Sequence, residues 1–370
     1  MKRHEGRSRI RSRSRARDRA GHRRRPGRRS RAGTLLAAAA LLVGAPLAVP
    51  AGAAAAPQTA RGQSLRLPSV PADTGARITA ETRLGPQEVD ISIQSPSLAR
   101  TVKTRILLPR DWSPDADRTW PVLYAYHGGQ DDYTSWTRNT DIEAWAAEYD
   151  AIVVMPEAAD GAYADWYNYG RGGPPKWETF HTQEVVQLVE RNYRASGVRA
   201  AIGDSAGGQG AITYAAKYPG MFRHVASLSG VLWLRAPGMP SLIMATNAIN
   251  GQDPVAIYGF IIRDADNWRA HDPYELASRL DGTRTKIFFS AGTTGRPGPG
   301  DPEAPPWDVG LFSEEAVGQT NIAFRNRLDR LGIPYTADIY GDGRHNWPAW
   351  IRVATRIWPD LMASIEARKL

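Results

Sequence analysis

The sequence predicts an α/β fold in which helices cover both faces of a mostly parallel central sheet, within a single domain. Short apolar runs alternate with amphipathic runs of helical period from about residue 88 to the C-terminus. That alternation is typical of strand–helix–strand units, and therefore of parallel strands. With 370 residues, of which 42% are hydrophobic, the chain is long enough to bury a sizeable core.

The predicted strands and helices alternate after an antiparallel entry. The runs "EVDISIQS" (88–95) and "RTVKTRILLP" (100–109) predict two strands of that entry. The apolar run "WPVLYAYHGG" (120–129) ends in two glycines, as a buried strand does where it meets a loop. Further strands are predicted at 151–157, 198–205, 223–230, 285–292 and 335–341, with helices at 141–149, 181–193, 210–219, 314–332 and 349–367. One apolar stretch, 232–272, interrupts the pattern and is predicted to cover a cleft.

The N-terminal 56 residues have the pattern of an export signal. Residues 1–31 hold fifteen Lys or Arg and two acidic residues, and an uncharged apolar run and an Ala-rich stretch follow. This order is typical of a secretory signal, and we expect cleavage between Ala53 and Ala56. The arginine pair before the apolar run suggests twin-arginine export. A basic RNA-binding tail or a retained membrane anchor is less favoured, because the apolar run is interrupted and short for a spanning helix. Residues 57–85 are interpreted as a linker.

Charge and cysteine content exclude several function classes. The formal charge is +9, but the first 31 residues carry +13 and residues 32–56 carry none, which leaves −4 for the body of the chain. A mildly acidic body gives no electrostatic case for a nucleic-acid partner. The absence of cysteine excludes thiol nucleophiles and thiolate metal sites. We expect a secreted protein, extracellular or associated with the cell wall, without stable membrane insertion.

The stretch "AIGDSAGGQG" (201–210) places Ser205 between a predicted strand and a predicted helix. A G-x-S-x-G motif in that context is typical of a nucleophile elbow, with Gly203 and Gly207 leaving room for a tight turn. A serine hydroxyl is a weak nucleophile and needs an exposed position and an adjacent base. The N–H of Ala206, at the helix start, can face an oxyanion. A plain glycine-rich turn is the alternative, and the strand–turn–helix context favours the nucleophile.

A histidine that follows the serine is the expected base, since elbow enzymes order their triad as Ser, acid, His. His224, His271 and His345 follow it, and His345 stands in "YGDGRHNWPAW", between the last strand and the last helix. We predict His345 as the base and structural roles for the other two. In "YHGGQDDY", Gly129 is predicted to supply the second oxyanion N–H, and His127 to hold that loop by hydrogen bonding.

The triad acid is expected in the loop after the strand "TKIFFSAG". The acidic residues there are Asp301, Glu303, Asp308, Glu314 and Glu315. The last two are assigned to the first turn of a helix, where the helix dipole alone favours acids. Asp301 is therefore the predicted acid, with Glu303 and Asp308 as alternatives. Its role would be to orient His345 and to stabilise the imidazolium.

Six blocks of the sequence resemble the antigen 85 mycolyltransferases and related secreted actinobacterial esterases. These blocks are "QDDYTSW", "IVVMPEAADGAYADWYNYG", "KWETFHTQEV", "AAIGDSAGG", "GMPSLIMATNAINGQD" and "HNWPAW". The likeness runs from about Leu65 to the C-terminus. It implies an α/β-hydrolase catalytic domain over 86–370, with a Ser-Glu-His triad that transfers acyl groups. By this resemblance Ser205 and His345 match the nucleophile and the base, Gly129 and Ala206 match the oxyanion donors, and positions near the substrate cleft are matched by Asp131, Asp132, Trp166 and Trp347.

Three departures from that family concern its specificity. A Pro/Gly-rich insertion replaces the family's glutamate loop, glutamine follows "HGG" where the mycolyltransferases have arginine, and Asn346 replaces a serine. These changes leave acyl chemistry intact but remove the basis for expecting trehalose or mycolate specificity.

We therefore predict a secreted serine ester hydrolase that acts through an acyl-enzyme on Ser205, without a cofactor or metal. Its substrate would be an acyl ester, with glycolipids and cell-wall polysaccharide esters as candidates. An acyltransferase to a sugar or lipid hydroxyl is the first alternative, and a non-catalytic cell-wall binding protein on a hydrolase scaffold is the second. Asp131 and Asp132 lack the ligand spacing of an EF-hand, so we expect them to cap a loop.

Overall fold

The computed structural model describes residues 69–370, apart from residues 304, 306 and 307. The predicted export signal and the first part of the predicted linker lie outside these residues. The described strands form one nine-stranded sheet in the order β1-β2-β3-β5-β4-β6-β7-β8-β9. In chain order they are β1 (Arg77–Arg83), β2 (Glu88–Ser95), β3 (Arg100–Leu107), β4 (Trp120–Tyr126), β5 (Ile152–Pro156), β6 (Ala195–Asp204), β7 (His224–Leu228), β8 (Lys286–Ala291) and β9 (Thr336–Ile339).

The sheet changes from antiparallel to parallel at β5. The pairs β1–β2, β2–β3 and β3–β5 are antiparallel. The pairs β5–β4, β4–β6, β6–β7, β7–β8 and β8–β9 are parallel. Because the carboxyl ends of parallel strands meet at one edge, the loops that follow β4, β6, β8 and β9 are brought together there. The mostly parallel sheet of the prediction is confirmed.

Helices pack on both faces of this sheet. Within β4, Val122 and Tyr124 belong to one hydrophobic cluster and Leu123 and Ala125 to another, so each face carries its own core. The helices are α1 (Ser135–Asn139), α2 (Ile142–Ala147), α3 (Trp177–Thr179), α4 (Val186–Asn192), α5 (Ala206–Lys217), α6 (Met239–Ile249), α7 (Ala265–Ala270), α8 (Pro273–Leu276), α9 (Val309–Leu331) and α10 (Trp347–Ser364). A π-helical segment, Phe180–Val185, joins α3 to α4. Helices α4, α5 and α9 bury residues in the first cluster, and α2 and α10 in the second.

The interpretation of residues 57–85 as a linker is wrong for its described part. Strand β1 lies there and pairs with β2 along its length, and Ala72 and Ala76 before it are buried. The single buried side chain of β1 is Glu81, which accepts a hydrogen bond from the Tyr193 hydroxyl at 2.6 Å. Because this edge strand buries no apolar side chain, it shows none of the hydrophobic alternation by which strands are recognised in a sequence.

We expect Glu184→Ala to destabilise the fold by about 3 kcal/mol, because it removes a buried carboxyl group that accepts three hydrogen bonds and leaves their donors unpaired. The Glu184 carboxylate is fully buried and accepts hydrogen bonds from the Ser95 hydroxyl, the Ser97 N–H at 3.1 Å and the Thr74 hydroxyl at 3.0 Å. Urea unfolding measures the change, with Gln187→Ala as the control. Gln187 makes its two hydrogen bonds to Asp73 of the same segment at the surface, so their loss should cost less than about 1 kcal/mol. Equal losses in both variants would contradict the assigned role of Glu184.

Candidate active site

Ser205 occupies the tight turn between β6 and α5. Its backbone φ and ψ are 49° and −118°, a strained combination for a residue with a side chain. A Cβ added to Gly203 would lie 2.3 Å from the carbonyl carbon of Gly207, and one added to Gly207 would lie 2.4 Å from the carbonyl oxygen of Tyr126. Only glycine fits these two positions without a backbone shift. The turn therefore exposes the Ser205 hydroxyl at the carboxyl end of β6.

A chain of hydrogen bonds connects Ser205 to His345 and Glu314. The Nε2 atom of His345 lies 2.8 Å from the Ser205 Oγ, and its Nδ1 lies 2.8 Å from a Glu314 carboxylate oxygen. An ionised carboxylate only accepts hydrogen bonds, so Nδ1 carries the ring proton and the Nε2 lone pair accepts the serine O–H. In this tautomer the imidazole can remove the hydroxyl proton as a general base.

The surroundings of Glu314 keep it ionised. The side chain is fully buried, and its other oxygen accepts the Gly292 N–H at 2.6 Å and the hydroxyls of Ser229 and Tyr340, each at 2.8 Å. Burial alone would raise the pKa of Glu314, but the hydrogen bonds and charge of His345 and the Gly292 N–H outweigh it and hold that pKa below its ordinary value. A negative charge is thus fixed where an imidazolium would form.

Asp301, the predicted acid, does not occupy this place, and the prediction is wrong in its geometry. One Asp301 oxygen accepts a hydrogen bond from the Asn346 side chain at 2.8 Å, and the other accepts the Gly298 N–H at 2.8 Å. Asn346 in turn caps the start of α10. Asp301 therefore holds the residue next to His345 and not the imidazole itself. Of the alternatives, Asp308 pairs with Arg344 at 2.7 Å and caps α9, and Glu303 is exposed.

Sequence reasoning missed Glu314 because it placed the start of the helix there. Helix α9 begins at Val309, five residues earlier, so Glu314 lies in its second turn. The residue shares the buried stripe of the helix with Leu311 and Val317, three positions away on either side. The sequence did contain one signal for Glu314, because this acid lies within an apolar stripe of helical period. A carboxylate buried there without a partner would be costly, so its position indicates a partner. The supporting hydroxyls of Ser229 and Tyr340 had no comparable signal.

The loop after β4 presents the second predicted oxyanion donor. The His127 Nε2 accepts the Ala158 N–H at 2.9 Å, so Nδ1 carries the proton and donates to the Gly128 carbonyl at 2.7 Å. The Gly129 N–H belongs to the same trans peptide unit as that carbonyl and points the opposite way. Among the described residues, neither the Gly129 N–H nor the Ala206 N–H donates to a protein oxygen. Both can therefore donate a hydrogen bond to a substrate oxygen.

Two of the residues predicted near the substrate stabilise a loop. The Asp131 carboxylate pairs with Arg138, and Asp132 accepts the Thr134 N–H at 2.8 Å and contacts Arg138 at 3.4 Å. These contacts agree with the expectation that both aspartates cap a loop. They follow the Gly128–Gly129 turn after one intervening residue, Gln130.

The two predicted tryptophans differ in position. Trp347, the first residue of α10, packs edge to face against Trp350 at 5.4 Å, and Trp350 in turn packs perpendicular to His345 at 5.1 Å. Trp166 is half-buried and donates its indole N–H to the Gly161 carbonyl at 3.3 Å. It lines a cavity that contains none of the three residues of the Ser205–His345–Glu314 chain.

The segment 232–272 contains α6 and α7 and touches the loop after β4. The Gln130 side chain donates to the Asn250 side chain at 2.8 Å, and the Gln252 side chain donates to the Asp160 carbonyl at 3.2 Å. The Gln130 N–H also donates to the Asp160 carboxylate at 2.6 Å. The end of α6 is thus connected by a hydrogen bond to Gln130, which follows the glycine turn. Helix α6 is apolar, yet only Met239 and Asn247 of its residues are buried.

Asp204, directly before the nucleophile, is a buried carboxylic acid with few partners. Its side chain is 1% exposed, and one carboxylate oxygen has no hydrogen-bond partner within the described part of the chain. Burial raises the pKa of Asp204 to about 7, although the nearby His127 and His345 act against the rise. The group is therefore partly protonated at neutral pH.

Asp204→Asn is expected to weaken the dependence of stability on pH. Because the pKa of Asp204 is raised to about 7 from 3.8, the folded state holds a proton that the unfolded chain has released, and the unfolding free energy falls as pH rises across this window. The variant lacks this loss, so we expect it to be more stable than the wild type near pH 8, by about 1–3 kcal/mol. Urea unfolding between about pH 4 and pH 8 measures both slopes. Identical slopes would show that Asp204 ionises normally.

The sequence and the fold were compared with those of known proteins. Residues 95–361, well over half the chain, match the model of the Esterase family, described as "Putative esterase". Esterase Rv1288 of Mycobacterium tuberculosis (strain ATCC 25618 / H37Rv) is 33% identical over 272 residues, which cover 70% of this chain and 56% of that protein. The chain thus spans little more than half the length of this relative. Diacylglycerol acyltransferase/mycolyltransferase Ag85C of Mycobacterium avium is 29% identical over 281 residues, or 73% of this chain and 76% of the relative.

Among solved structures, MPT51 (FbpC1) of Mycobacterium tuberculosis superposes with a TM-score of 0.61 at 23% identity, over 73% of this chain and 96% of that chain. This likeness supports the fold. The sequence matches confirm the resemblance to the antigen 85 proteins and their esterase relatives. From the family match over residues 95–361, the chain belongs to the Esterase family, and its sheet order and its likeness to MPT51 show an α/β-hydrolase fold.

Proposed function

We propose that this protein is a secreted serine ester hydrolase that forms an acyl-enzyme on Ser205. The observation that carries the proposal is the unbroken hydrogen-bond chain from Glu314 through His345 to Ser205, beside two unpaired N–H groups. A buried ionised acid, an imidazole that the acid orients and a serine on a strained turn are the parts that acyl transfer needs.

The proposed reaction has two halves. His345 takes the Ser205 proton while Oγ bonds to the ester carbonyl carbon, and the N–H groups of Gly129 and Ala206 stabilise the oxyanion. The tetrahedral intermediate collapses, the ester C–O bond breaks, and the alcohol leaves with the proton from His345. Water then attacks the acyl-enzyme with His345 as base, which releases the acid and restores the serine. Glu314 remains ionised and stabilises the imidazolium in both halves.

An acyltransferase is the second candidate. It is favoured by the 29% identity to a protein named as a diacylglycerol acyltransferase/mycolyltransferase. The first half-reaction is shared, and an alcohol replaces water in the second. A non-catalytic binding protein is less favoured, because a binding role gives no reason for a buried carboxylate, Glu314, at 2.8 Å from the His345 ring that contacts Ser205.

Trapping the acyl-enzyme tests the proposal. The protein is incubated with p-nitrophenyl acetate, butyrate and palmitate, p-nitrophenol release is followed, and the quenched protein is analysed by intact and peptide mass spectrometry. We expect a burst of p-nitrophenol and an acyl adduct on the peptide that contains Ser205. Added glycerol as acceptor separates the candidates, since a transferase gives glyceryl ester in place of free acid. Folded protein that neither releases p-nitrophenol nor acquires an adduct would refute the esterase proposal.

Secretion is part of the proposal and rests on the sequence of residues 1–56. In the described part of the chain, the helices are too short or too polar to span a bilayer. N-terminal sequencing of the protein from the medium of a producing culture tests the signal, with a new N-terminus expected between Ala53 and Ala56. Full-length protein retained in cells would contradict it.

A further inference from the structure

A cavity of about 310 Å³ lies at the far end of α5 from the nucleophile. Lys217, the last residue of α5, lines it together with residues from the 165–172 loop, from α3 and from α7. Helix α5 has 12 residues, so its axis is about 18 Å long. Ser205 precedes its first residue, and the cavity is therefore separate from the candidate active site.

Two carboxylates on this wall carry further acceptor capacity. Asp165 accepts the N–H and the hydroxyl of Thr179 at 2.9 and 2.6 Å. Glu178 accepts the ammonium of Lys217 and the hydroxyl of Tyr218, each at 2.6 Å. Each carboxylate offers about four lone-pair positions, so both can accept more hydrogen bonds. Both side chains line the cavity.

His271 presents an unpaired nitrogen to the same cavity. The residue is 7% exposed, and its Nδ1 lies 2.9 Å from the Asn267 carbonyl, to which it donates. Burial and the charge of Lys217 lower the pKa of His271, so the ring is neutral and its Nε2 is an acceptor. A Glu178 oxygen lies 3.8 Å from Nε2 and is itself an acceptor, which already receives the Lys217 ammonium at 2.6 Å. In the described part of the chain Nε2 has no hydrogen-bond donor of its own, so a ligand hydroxyl could supply one.

The charges of the wall select the class of ligand. The wall carries both signs of charge, because Lys217 pairs with Glu178 at 2.6 Å and Asp165 accepts two hydrogen bonds from Thr179. Acceptors outnumber donors on it, so a neutral molecule rich in hydroxyl groups matches the wall by donating hydrogen bonds and is repelled by neither sign of charge. Trp166 and Tyr167 also line the cavity and add aromatic surface, against which the C–H face of a sugar ring can pack.

We propose that this cavity is a saccharide-binding site, distinct from the active site and independent of the ester hydrolase proposal. Its volume is at the lower end of the range for ligand pockets and suits about one sugar ring. The ligand hydroxyls would donate to Asp165, to Glu178 and to the Nε2 of His271, and Lys217 would donate to a ring or hydroxyl oxygen. Such a site would bind the protein to a glycan and leave Ser205, His345 and Glu314 free to contact an ester elsewhere.

Saturation-transfer NMR with methyl glucoside, methyl galactoside and methyl arabinoside tests this proposal on the whole mature protein. Asp165→Asn keeps one oxygen that can accept the Thr179 N–H, and Lys217→Gln keeps an N–H donor on the Glu178 side, but both variants change the acceptor or donor offered to a ligand. Asp266→Asn is the matched control, because this α7 acid is 97% exposed and does not line the cavity. Urea unfolding verifies that each variant is folded.

We expect at least one glycoside to bind saturably, about tenfold more weakly to Asp165→Asn and Lys217→Gln, and unchanged to Asp266→Asn. The bound glycoside should leave p-nitrophenyl acetate turnover uninhibited. The proposal fails if no glycoside saturates by about 50 mM, if the variants bind like the wild type, or if the glycoside competes with the ester. Binding is measured without turnover, so its result stands even if the protein hydrolyses no ester.

Discussion

Ser205→Ala is expected to lower kcat/KM for p-nitrophenyl butyrate by about 10⁶-fold, to the level left by the oxyanion donors and by substrate binding. The variant removes the atom that accepts the acyl group but leaves His345, Glu314 and both N–H groups in place. Steady-state hydrolysis beside urea unfolding measures the effect. Because alanine is of similar size and makes the same backbone contacts, the unfolding free energy should change by less than about 1 kcal/mol.

His345→Ala provides the comparison for this result. Residues that act as one unit give non-additive losses, so the double variant Ser205→Ala/His345→Ala should be no slower than either single variant. If Ser205→Ala kept about a tenth of the wild-type rate, the nucleophile would have to be another residue.

Glu314→Gln is expected to lower kcat by about 10³–10⁴-fold, while KM changes little. Glutamine has the same shape but removes the charge that stabilises the imidazolium, and its amide group allows the wrong His345 tautomer. Asp301→Asn is the matched control, since it makes the same isosteric change 13 positions earlier, on the residue that the sequence favoured. The amide oxygen introduced by this control can still accept a hydrogen bond from the Asn346 side chain, so we expect a loss of less than about tenfold.

The pair of variants discriminates between the two acids by rate and by pH profile. In Glu314→Gln the imidazolium of His345 loses the carboxylate that stabilises it, so the ring gives up its proton at lower pH. The acidic limb of the kcat/KM profile, where the base becomes protonated, should therefore move to lower pH. Asp301→Asn should leave the limb in place. The reverse pattern, with the larger loss in Asp301→Asn, would mean that the hydrogen bond between His345 and Glu314 is not the catalytic one.

Much of the fold and part of the site could be predicted from residue patterns. The buried parallel strands are continuous apolar runs, and the Ser205 elbow combines a strand, two essential glycines and a helix within ten residues. The position of His345 follows from its place between the last strand and the last helix. Each of these features depends on residues that are close together in the sequence, so it can be recognised in one sequence without knowledge of the fold.

The features that could not be predicted depend on contacts between distant segments. Glu314 is stabilised by Gly292, Ser229, Tyr340 and His345, which come from three separate segments, and none of them indicates its partner in the sequence. Strand β1 is fixed by pairing with β2 and not by its own side chains. Helix boundaries add to the difficulty, because an error of five residues at the start of α9 moved Glu314 from the second turn to the first.

The order of the site residues along the chain has a consequence for synthesis. Gly129 and Ser205 are made early, whereas Glu314 and His345 lie within the last 60 residues, and the base is 140 positions beyond the nucleophile. Chains emerge from the ribosome N-terminus first, so a nascent polypeptide that has completed the elbow still lacks its base. In the proposed mechanism, the serine of a nascent chain therefore stays unactivated until the segment with β9 and α10 has been made and has docked.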